Sequence, residues 1–231
     1  MKIDRFDYTE NYYGDLCIIT THDKFKIPKG SCVVWKKEKG GKFKVVYKQG
    51  DVLDQFIHEE SEAKYIIRPL RHPSGGLFMD AIEVRKKLLK ESAGKKILNL
   101  FSFTCSLSVA ALKGGAELVR NVDTSRSVLK WGKENHELNK LKEVRFLEED
   151  SIHILKKPEE YDLIILDPPA FGRSKRGAFS LAKQGYELID RAKERLTTKG
   201  SILLLHHDKN FKIPYKPFFK GGSLQAFHLK P

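Results

Sequence analysis

The pattern of apolar and polar residues changes character near residue 70. Before that point, short apolar or alternating runs at 16–20, 31–35 and 42–47 are separated by turn-forming residues. Such runs predict β-strands, and the glycine pair before the third run predicts that it forms a hairpin with the second. We therefore expect residues 1–70 to form a small β-rich appendage and residues 71–231 to form a larger domain.

After residue 70, apolar runs of strand length alternate with amphipathic runs of helix length. Strands are predicted at 96–100, 117–122, 144–147, 161–166 and 201–205, helices at 81–92, 104–112, 125–139 and 178–196, and a turn with a last strand at 218–229. Alternation of this kind is typical of a mostly parallel sheet covered by helices on both faces. The predicted fold class is therefore α/β and Rossmann-like, with a β-rich N-terminal appendage.

The charge balance favours a polyanionic partner. The 231 residues include 43 Lys and Arg against 30 Asp and Glu, a formal net charge of +13, and phosphate contacts dominate nucleic-acid affinity. A soluble lysine-rich surface is the alternative interpretation. The first residues lack the apolar core of a signal peptide, and no apolar run approaches the roughly 20 residues that cross a bilayer.

Cysteine and histidine usage indicates no disulfide framework and no metal site. The sequence holds only Cys17, Cys32 and Cys105, an odd and widely spaced set, which fits neither paired bridges nor zinc ligation. The adjacent His206 and His207 fall on a predicted strand and are expected to point to opposite faces. The expected environment is a reducing cytoplasm.

The segment from Asp167 to Phe171 is the most informative motif. It follows the apolar strand 161–166 and reads Asp-Pro-Pro-Ala-Phe before the basic loop 172–176. Proline fixes its own φ and restricts the preceding residue to extended geometry, so the carboxylate is held stiffly at the end of a strand. That edge of an open α/β sheet binds ligands. An acid, a ring and cations together suit a nucleotide, although a solvated basic loop is the alternative.

The loop after the first strand indicates which nucleotide ligand is suitable. Residues 101–106 join strand to helix without the Gly-x-Gly-x-x-Gly of a dinucleotide site, which disfavours NAD and FAD. Small hydroxyl residues would still admit S-adenosylmethionine (SAM). Asp123 ends the next strand, where a carboxylate accepts ribose hydroxyls; Ser125 is expected to cap the following helix instead. Asp150 is a candidate for the adenine amino group, with a solvated acidic loop as the alternative.

Five motifs in order resemble a known family. They are Phe78-Met79-Asp80, Asn99 to Thr104, Gly114-Gly115-Ala116, Val122 to Ser125, and Asp167 to Phe171. Together they resemble the class I SAM-dependent methyltransferases that modify large-subunit ribosomal RNA, in which the Asp-Pro-Pro-x-Phe loop lies beside the methyl donor and the target base. The resemblance implies SAM as the cofactor and RNA as the partner. It implies these cofactor-binding residues: Phe78, Asp80, Asn99, Phe101, Ser102, Thr104, Asp123, Thr124, Asp150, Ser151 and Asp167.

Two branches of this family differ in their chemistry. Methylation of cytosine C5 requires a cysteine thiolate just past the penultimate strand, where this chain has residues 206–210, and no cysteine follows Cys105. Methylation of guanine N7 uses a lone pair that is already nucleophilic and needs only positioning for in-line attack. The motif at Asp167 is more similar to this second branch, which predicts direct transfer to guanine N7.

The same resemblance predicts the roles of the residues around the motif. Asp167 would orient the base or donor, and Phe171 would stack on the base, so these two are the predicted catalytic residues. The predicted substrate-binding residues are Pro168, Pro169, Phe171, Arg173, Lys175 and Arg176, the last three through phosphates.

The chain departs from the family pattern at two places. Cys105 stands where the family has glycine, and we expect it to add bulk against the cofactor. Ala81 follows Asp80 where the family has glutamine or histidine followed by arginine. Methylation of a protein or small molecule, and a SAM- or RNA-binding pseudoenzyme, are the alternative functions.

Overall fold

The computed structural model describes residues 8–39, 41–174 and 177–230, with the backbone alone at 173 and 174. The chain divides into two compact units. The first comprises Met1–Glu60 and Lys64–Met79, and the second comprises Ser61–Ala63 and Asp80–Pro231. Each unit has a hydrophobic core of its own.

The first unit is built from strands. They are β1 (Tyr8–Tyr13), β2 (Leu16–Thr21), β3 (Ser31–Lys37), β4 (Phe43–Gln49), β5 (Phe56–Glu60) and β6 (Ala63–Ile67). The first four form one sheet in chain order, with β2 and β3 parallel and the outer pairs antiparallel. β5 and β6 form a separate ribbon. The three predicted strands and the hairpin of β3 with β4 are confirmed.

The second unit alternates strands and helices. A 3₁₀ turn (Met79–Ala81) precedes α1 (Ile82–Glu91), and the later helices are α2 (Ser106–Lys113), α3 (Arg126–Leu138), α4 (Ser151–Ile154) and α5 (Leu181–Lys193). The strands are β7 (Lys96–Leu100), β8 (Leu118–Asp123), β9 (Val144–Glu148), β10 (Tyr161–Leu166), β11 (Phe171–Ser174), β12 (Gly177–Ser180), β13 (Leu196–His206), β14 (Phe219–Gly221) and β15 (Leu224–Leu229).

The main sheet of this unit has the order β14-β15-β13-β10-β7-β8-β9. The strands from β13 to β9 are parallel, and β15 runs antiparallel to β13. Leu88 of α1 and Ala111 of α2 pack against one face, while Ile154 of α4 and Leu188 of α5 pack against the other. Helices thereby cover both faces of the parallel sheet, which confirms the predicted fold class.

The largest differences from the predicted element boundaries concern β13, α2, α5 and the tail. β13 begins at Leu196, well before the predicted start at residue 201. α2 begins at Ser106, because Cys105 has a left-handed φ of 62° that no helix contains. α5 begins at Leu181, because residues 177–180 pair with residues 171–174 as the antiparallel hairpin of β11 and β12. Residues 172–174 of the predicted basic loop therefore belong to this hairpin. The tail adds the short strand β14 to the predicted last strand.

Candidate active site

The parallel strands reverse their order of connection between β7 and β10. From β7 the chain continues outward to β8 and β9, then returns to β10 on the other side of β7 and proceeds to β13. Ligands of open α/β sheets bind at the carboxyl ends of the strands beside such a switch point. A cavity of about 310 Å³ opens at this edge. The predicted site residues that line it are Phe101, Asp123, Thr124, Asp150, Ser151 and Pro169.

Asp123 is held by two backbone amides at the carboxyl end of β8. The N–H of Ser125 donates to Oδ1 (2.9 Å) and the N–H of Phe103 donates to Oδ2 (3.0 Å). Burial raises the pKa of Asp123, and these hydrogen bonds oppose the rise. Ser125 occupies the N-cap position of α3, as expected, but its side chain makes no capping hydrogen bond to the helix backbone. Asp123 thus fixes the turn and lines the cavity at the same time.

The loop that follows β7 is strained. Phe101, Phe103 and Cys105 have left-handed φ values of 56°, 48° and 62°, and such conformations cost about 1 to 3 kcal/mol each at non-glycine residues. Hydrogen bonds hold the loop: the Ser102 N–H donates to the Val122 carbonyl (3.0 Å) and the Phe101 N–H donates to Ser151 Oγ (3.2 Å). Conformations of this kind persist where the surrounding structure enforces them, which is frequent at functional sites.

Asp150 and Ser151 connect the cavity to α4. Oδ1 of Asp150 accepts from the N–H groups of Ile152 (2.9 Å) and His153 (3.3 Å) and so caps the helix. One oxygen of Asp150 is therefore committed to the backbone. The predicted contact of Asp150 with a ligand stays a prediction that would use its other oxygen.

Three predicted cofactor residues are buried and do not line the cavity: Asn99, Ser102 and Thr104 are 1%, 7% and 1% exposed. The Thr104 carbonyl accepts from Asn135 Nδ2 (3.0 Å), and Ser102 Oγ lies 3.7 Å from Cys105 Sγ. Their assignment to cofactor binding stays a prediction.

Asn99 begins a buried chain of hydrogen bonds that links β7 to α3. Its Nδ2 donates to Asn121 Oδ1 (2.8 Å), and Asn121 Nδ2 donates to Ser108 Oγ (3.0 Å). Ser108 Oγ contacts His136 Nε2 (2.8 Å), and His136 Nδ1 contacts the Gly132 carbonyl (2.7 Å). Since that carbonyl only accepts, Nδ1 carries the proton and Nε2 accepts from the hydroxyl. Burial lowers the pKa of His136 to about 4, so the ring is neutral at pH 7.

Asp167 and Asp80 form a pair of carboxylates beside the switch point. Asp167 follows β10 directly, and burial together with the nearby Asp80 raises its pKa to about 7. Burial also raises the pKa of Asp80, opposed by His207, whose Nδ1 lies 3.8 Å from Asp80 Oδ2. Asp80 Oδ1 is buried and has no hydrogen-bond partner among the described residues. Two poorly solvated carboxylates at one place would be stabilised by a cationic ligand.

Comparison with known proteins identifies the family. The family model described as S-adenosylmethionine-dependent methyltransferase matches residues 13–214. The chain belongs to this family. Its cofactor is therefore SAM, and the class I Rossmann-like methyltransferase fold predicted from the motifs is confirmed.

Individual relatives of this methyltransferase agree with the family match. This chain is 36% identical over 175 residues to "Ribosomal RNA large subunit methyltransferase K/L" of Acinetobacter baumannii, and the match covers 72% of this chain and 24% of that protein. The protein of the same name from Pseudomonas syringae is 35% identical over 191 residues, covering 80% and 25%. The chain thus spans about a quarter of the length of these relatives. The crystal structure of SMU.776 complexed with SAH is similar with a TM-score of 0.78 and 26% identity, covering 89% of this chain and 59% of that one.

The residues of the methyltransferase site fit SAM. The cavity volume of about 310 Å³ lies within the range of small-molecule pockets. Asp123 presents a carboxylate to the cavity at the end of β8. Asp80 and Asp167 do not line the cavity, and Oδ1 of Asp80 is buried without a hydrogen-bond partner among the described residues. The ribose hydroxyls of SAM would suit the Asp123 carboxylate, and its ammonium group, a hydrogen-bond donor, would suit that of Asp80. The Asp80–Asp167 pair therefore has the charge that the cationic end of SAM requires.

The expected bulk of Cys105 against the cofactor was wrong. Its side chain is fully buried and is not part of the cavity lining. It points instead towards α3, where a Cβ added to Gly132 would lie 2.4 Å from Cys105 Sγ. The sulfur fills the space that glycine leaves between α2 and α3, so the departure from the family pattern is accommodated away from the cavity.

The hairpin of β11 and β12 extends the Asp167 motif. Phe171 opens it, pairs with Ser180 and is 58% exposed. Phe179 on the returning strand packs against Phe101 with ring centroids 5.5 Å apart. The backbone of Arg173 belongs to β11, whereas Lys175 and Arg176 lie outside the described residues. Phe78 belongs to the first unit and is 41% exposed.

Sequence reasoning missed part of the cavity wall. The missed lining residues are Ile152, His153, Lys156, Gly172, Gly177, Ala178, Phe179 and Gln184. Those around residue 153 carry no motif and would have been found only by recognising Asp150 as a helix cap.

In residues 8–39, 41–174 and 177–230, no group of three or more metal-binding side chains is arranged to hold a metal ion. No helix described there is long and apolar enough to cross a membrane.

Proposed function

We propose that this methyltransferase transfers the methyl group of SAM directly to guanine N7 in ribosomal RNA. The observation that carries the proposal is the rigid Asp167-Pro168-Pro169 segment at the switch point, which ends in the exposed ring of Phe171. A large exposed ring next to a cofactor cavity suits stacking on a nucleobase. The relatives named as ribosomal RNA large subunit methyltransferases support RNA as the substrate.

In this proposal SAM occupies the cavity, and its cationic end extends to Asp80 and Asp167, which do not line the cavity. Asp123 accepts the ribose hydroxyls, Asp150 and Ser151 bind at the adenine, and Asp80 with Asp167 faces the cationic end. Phe101 and Thr124 also line the cavity. When bound, SAM supplies an electrophilic methyl group on its sulfonium. The protein contributes orientation, because in-line transfer depends on the alignment of nucleophile and leaving group.

The chemistry of the cysteines favours direct transfer. All three cysteines of the sequence are buried. Burial raises the pKa of the Cys105 thiol, which keeps it protonated, and a protonated thiol is a poor nucleophile. Covalent attack on cytosine C6 needs an accessible thiolate, so a nitrogen that is already nucleophilic is the better target. We assign Asp167 to orienting the base or the donor.

The cations around the motif are proposed to bind RNA phosphates. Pro168 and Pro169 are proposed to contact the substrate, with Pro169 at the wall of the cavity. Arg173, Lys175 and Arg176 would contact the backbone of the substrate. The first unit is proposed to add a further RNA contact, since Lys44 and Lys48 are exposed on its edge strand β4. The net charge of +13 is consistent with this partner.

Two measurements test the proposal. Calorimetry with SAM should give a dissociation constant well below millimolar. Transfer of radiolabelled methyl groups should then label ribosomal RNA from cells lacking the enzyme, and digestion of that RNA should yield N7-methylguanosine. Label in 5-methylcytidine would refute the base assignment, and label only in protein would refute the substrate.

A further inference from the structure

We infer that the segment 207–218, together with Tyr186, binds single-stranded RNA that flanks the target nucleotide. The segment leaves the carboxyl end of β13 and leads to β14, so it starts at the same edge of the sheet as the candidate cavity. The inference rests on the proposed function and adds to it a substrate-binding surface outside the Asp167 motif.

The charge of the segment is strongly one-sided. Lys209, Lys212 and Lys216 are exposed, and Asp208 is the one acid in the segment. None of these lysines forms an ion pair with a described residue. Asp208 Oδ1 is already bonded to the N–H of Asn210 (2.8 Å). Three ammonium groups are therefore available for phosphates.

The backbone of the segment is fixed although it has no regular secondary structure. Phe211 is 2% exposed, and its ring meets His206 edge-on at 5.3 Å. It lies against Gly185 of α5 so closely that an added Cβ there would be 2.5 Å from the ring. The Tyr186 hydroxyl donates to the Lys212 carbonyl. Lys209 and Lys212 are thus carried on either side of a buried anchor, which reduces the entropy lost on binding.

Exposed rings lie among these cations. Tyr215 is 48% exposed within the segment, and Tyr186 is 55% exposed and packs at 5.3 Å from Phe211. Aromatic rings combined with a basic track are the usual arrangement for single-stranded nucleic acid, because every base has a face that can stack. A protein partner fits less well, since the buried centres of protein interfaces are depleted in lysine.

Binding of a fluorescein-labelled, mixed-sequence 12-nucleotide RNA tests the surface. The triple variant Lys209→Ala, Lys212→Ala, Lys216→Ala should lower the slope of log affinity against log salt by about 2, at roughly 0.7 per lost phosphate contact. The control variant removes three exposed lysines at the opposite edge of the sheet: Lys113, Lys142 and Lys199. It has the same net charge and should change the slope by less than half as much.

The stacking contribution is tested separately. Tyr215→Ala should weaken RNA binding about 5- to 100-fold with an unchanged salt slope, whereas Tyr215→Phe should bind like the wild type. In methyl transfer, the triple variant should raise KM for RNA and leave kcat and SAM affinity within about twofold, as a substrate-docking surface requires. Both results would support the inference.

The outcomes separate this inference from the proposed function. If the wild type methylates RNA and the two triple variants have equal KM values and salt slopes, the segment does not bind RNA and the inference is overturned. If the wild type binds SAM but methylates no RNA, the proposed function fails first. If protein is methylated and the first triple variant slows that reaction, the surface serves a protein and the inference is also overturned.

Discussion

Replacement of Asp167 by asparagine is expected to stabilise the second unit above pH 7. Burial and the neighbouring Asp80 raise the pKa of Asp167 to about 7, whereas an aspartate in an unfolded chain titrates near about 4. Between these two values the folded protein binds more protons than the unfolded chain, so its stability falls as the pH rises. Above pH 7 the full penalty of holding the ionised carboxylate is present.

The size of the effect follows from the pKa shift. A rise of about three pKa units corresponds to about 4 kcal/mol at 1.36 kcal/mol per unit. Asp167 is partly exposed, and solvent screening reduces the penalty, so we expect about 1 to 3 kcal/mol. Asparagine keeps the shape and removes the charge. The variant should therefore be more stable than the wild type by this amount at about pH 8.5, and by less than about 1 kcal/mol at about pH 4.5.

Urea unfolding followed by circular dichroism at 222 nm measures this difference. The helices that the structure describes lie in the second unit, so the helical signal reports the unit that contains Asp167. Asp162→Asn is the matched control on the same strand. Asp162 accepts from the Lys96 N–H (2.9 Å) and from Thr197 Oγ1 (3.0 Å), so its replacement should destabilise the protein by about 1 to 2 kcal/mol.

The same substitution should have the opposite effect on activity. If Asp167 orients the base or donor, kcat/KM for RNA methylation should fall about 100-fold or more, as for other preorganised polar groups of active sites. An Asp167→Asn variant that is no more stable than the wild type at pH 8.5 would refute the argument that the ionised Asp167 carboxylate destabilises the folded protein. A stability gain that is independent of pH would refute it equally.

Three further substitutions test other parts of the site. Asp123→Asn should weaken SAM binding about 10- to 1000-fold in calorimetry, because an amide cannot accept from both backbone N–H groups and ribose; Asp190→Asn on α5 should leave binding unchanged. Phe171→Ala should raise KM for RNA about 5- to 100-fold without altering SAM affinity, and equal KM values would remove it from base stacking. Gly132→Ala should lower the free energy of unfolding by about 1 to 3 kcal/mol, since its Cβ would lie 2.4 Å from Cys105 Sγ. Adding Cys105→Ala should restore most of that loss, and a double variant as unstable as the single one would contradict the packing argument.

The sequence predicted the sheet well because its signals are local. Each parallel strand is an apolar run bounded by turn residues, and Lys96–Leu100 and Tyr161–Leu166 agree with the prediction at both ends. The alternation of strands and helices also predicted which edge of the sheet carries the cavity. What periodicity could not predict was the pairing of β11 with β12, since the cations between Phe171 and Ala178 resemble a solvated loop.

The electrostatics of the site were beyond the sequence because they depend on neighbours distant in the chain. Asp167 alone is a carboxylate at a strand end, and only the folded chain brings Asp80 close to it and His207 close to Asp80. Likewise, Asn99 is a lone polar residue in an apolar strand until β8 pairs with β7 and places Asn121 opposite it. A motif can therefore identify Asp167 as a candidate site residue, whereas the raised pKa of its carboxylate depends on neighbours that only the fold brings together. Because burial is the larger cause of the raised pKa of Asp167 and the charge of Asp80 is the smaller one, replacing Asp80 by asparagine should lower that pKa only in part.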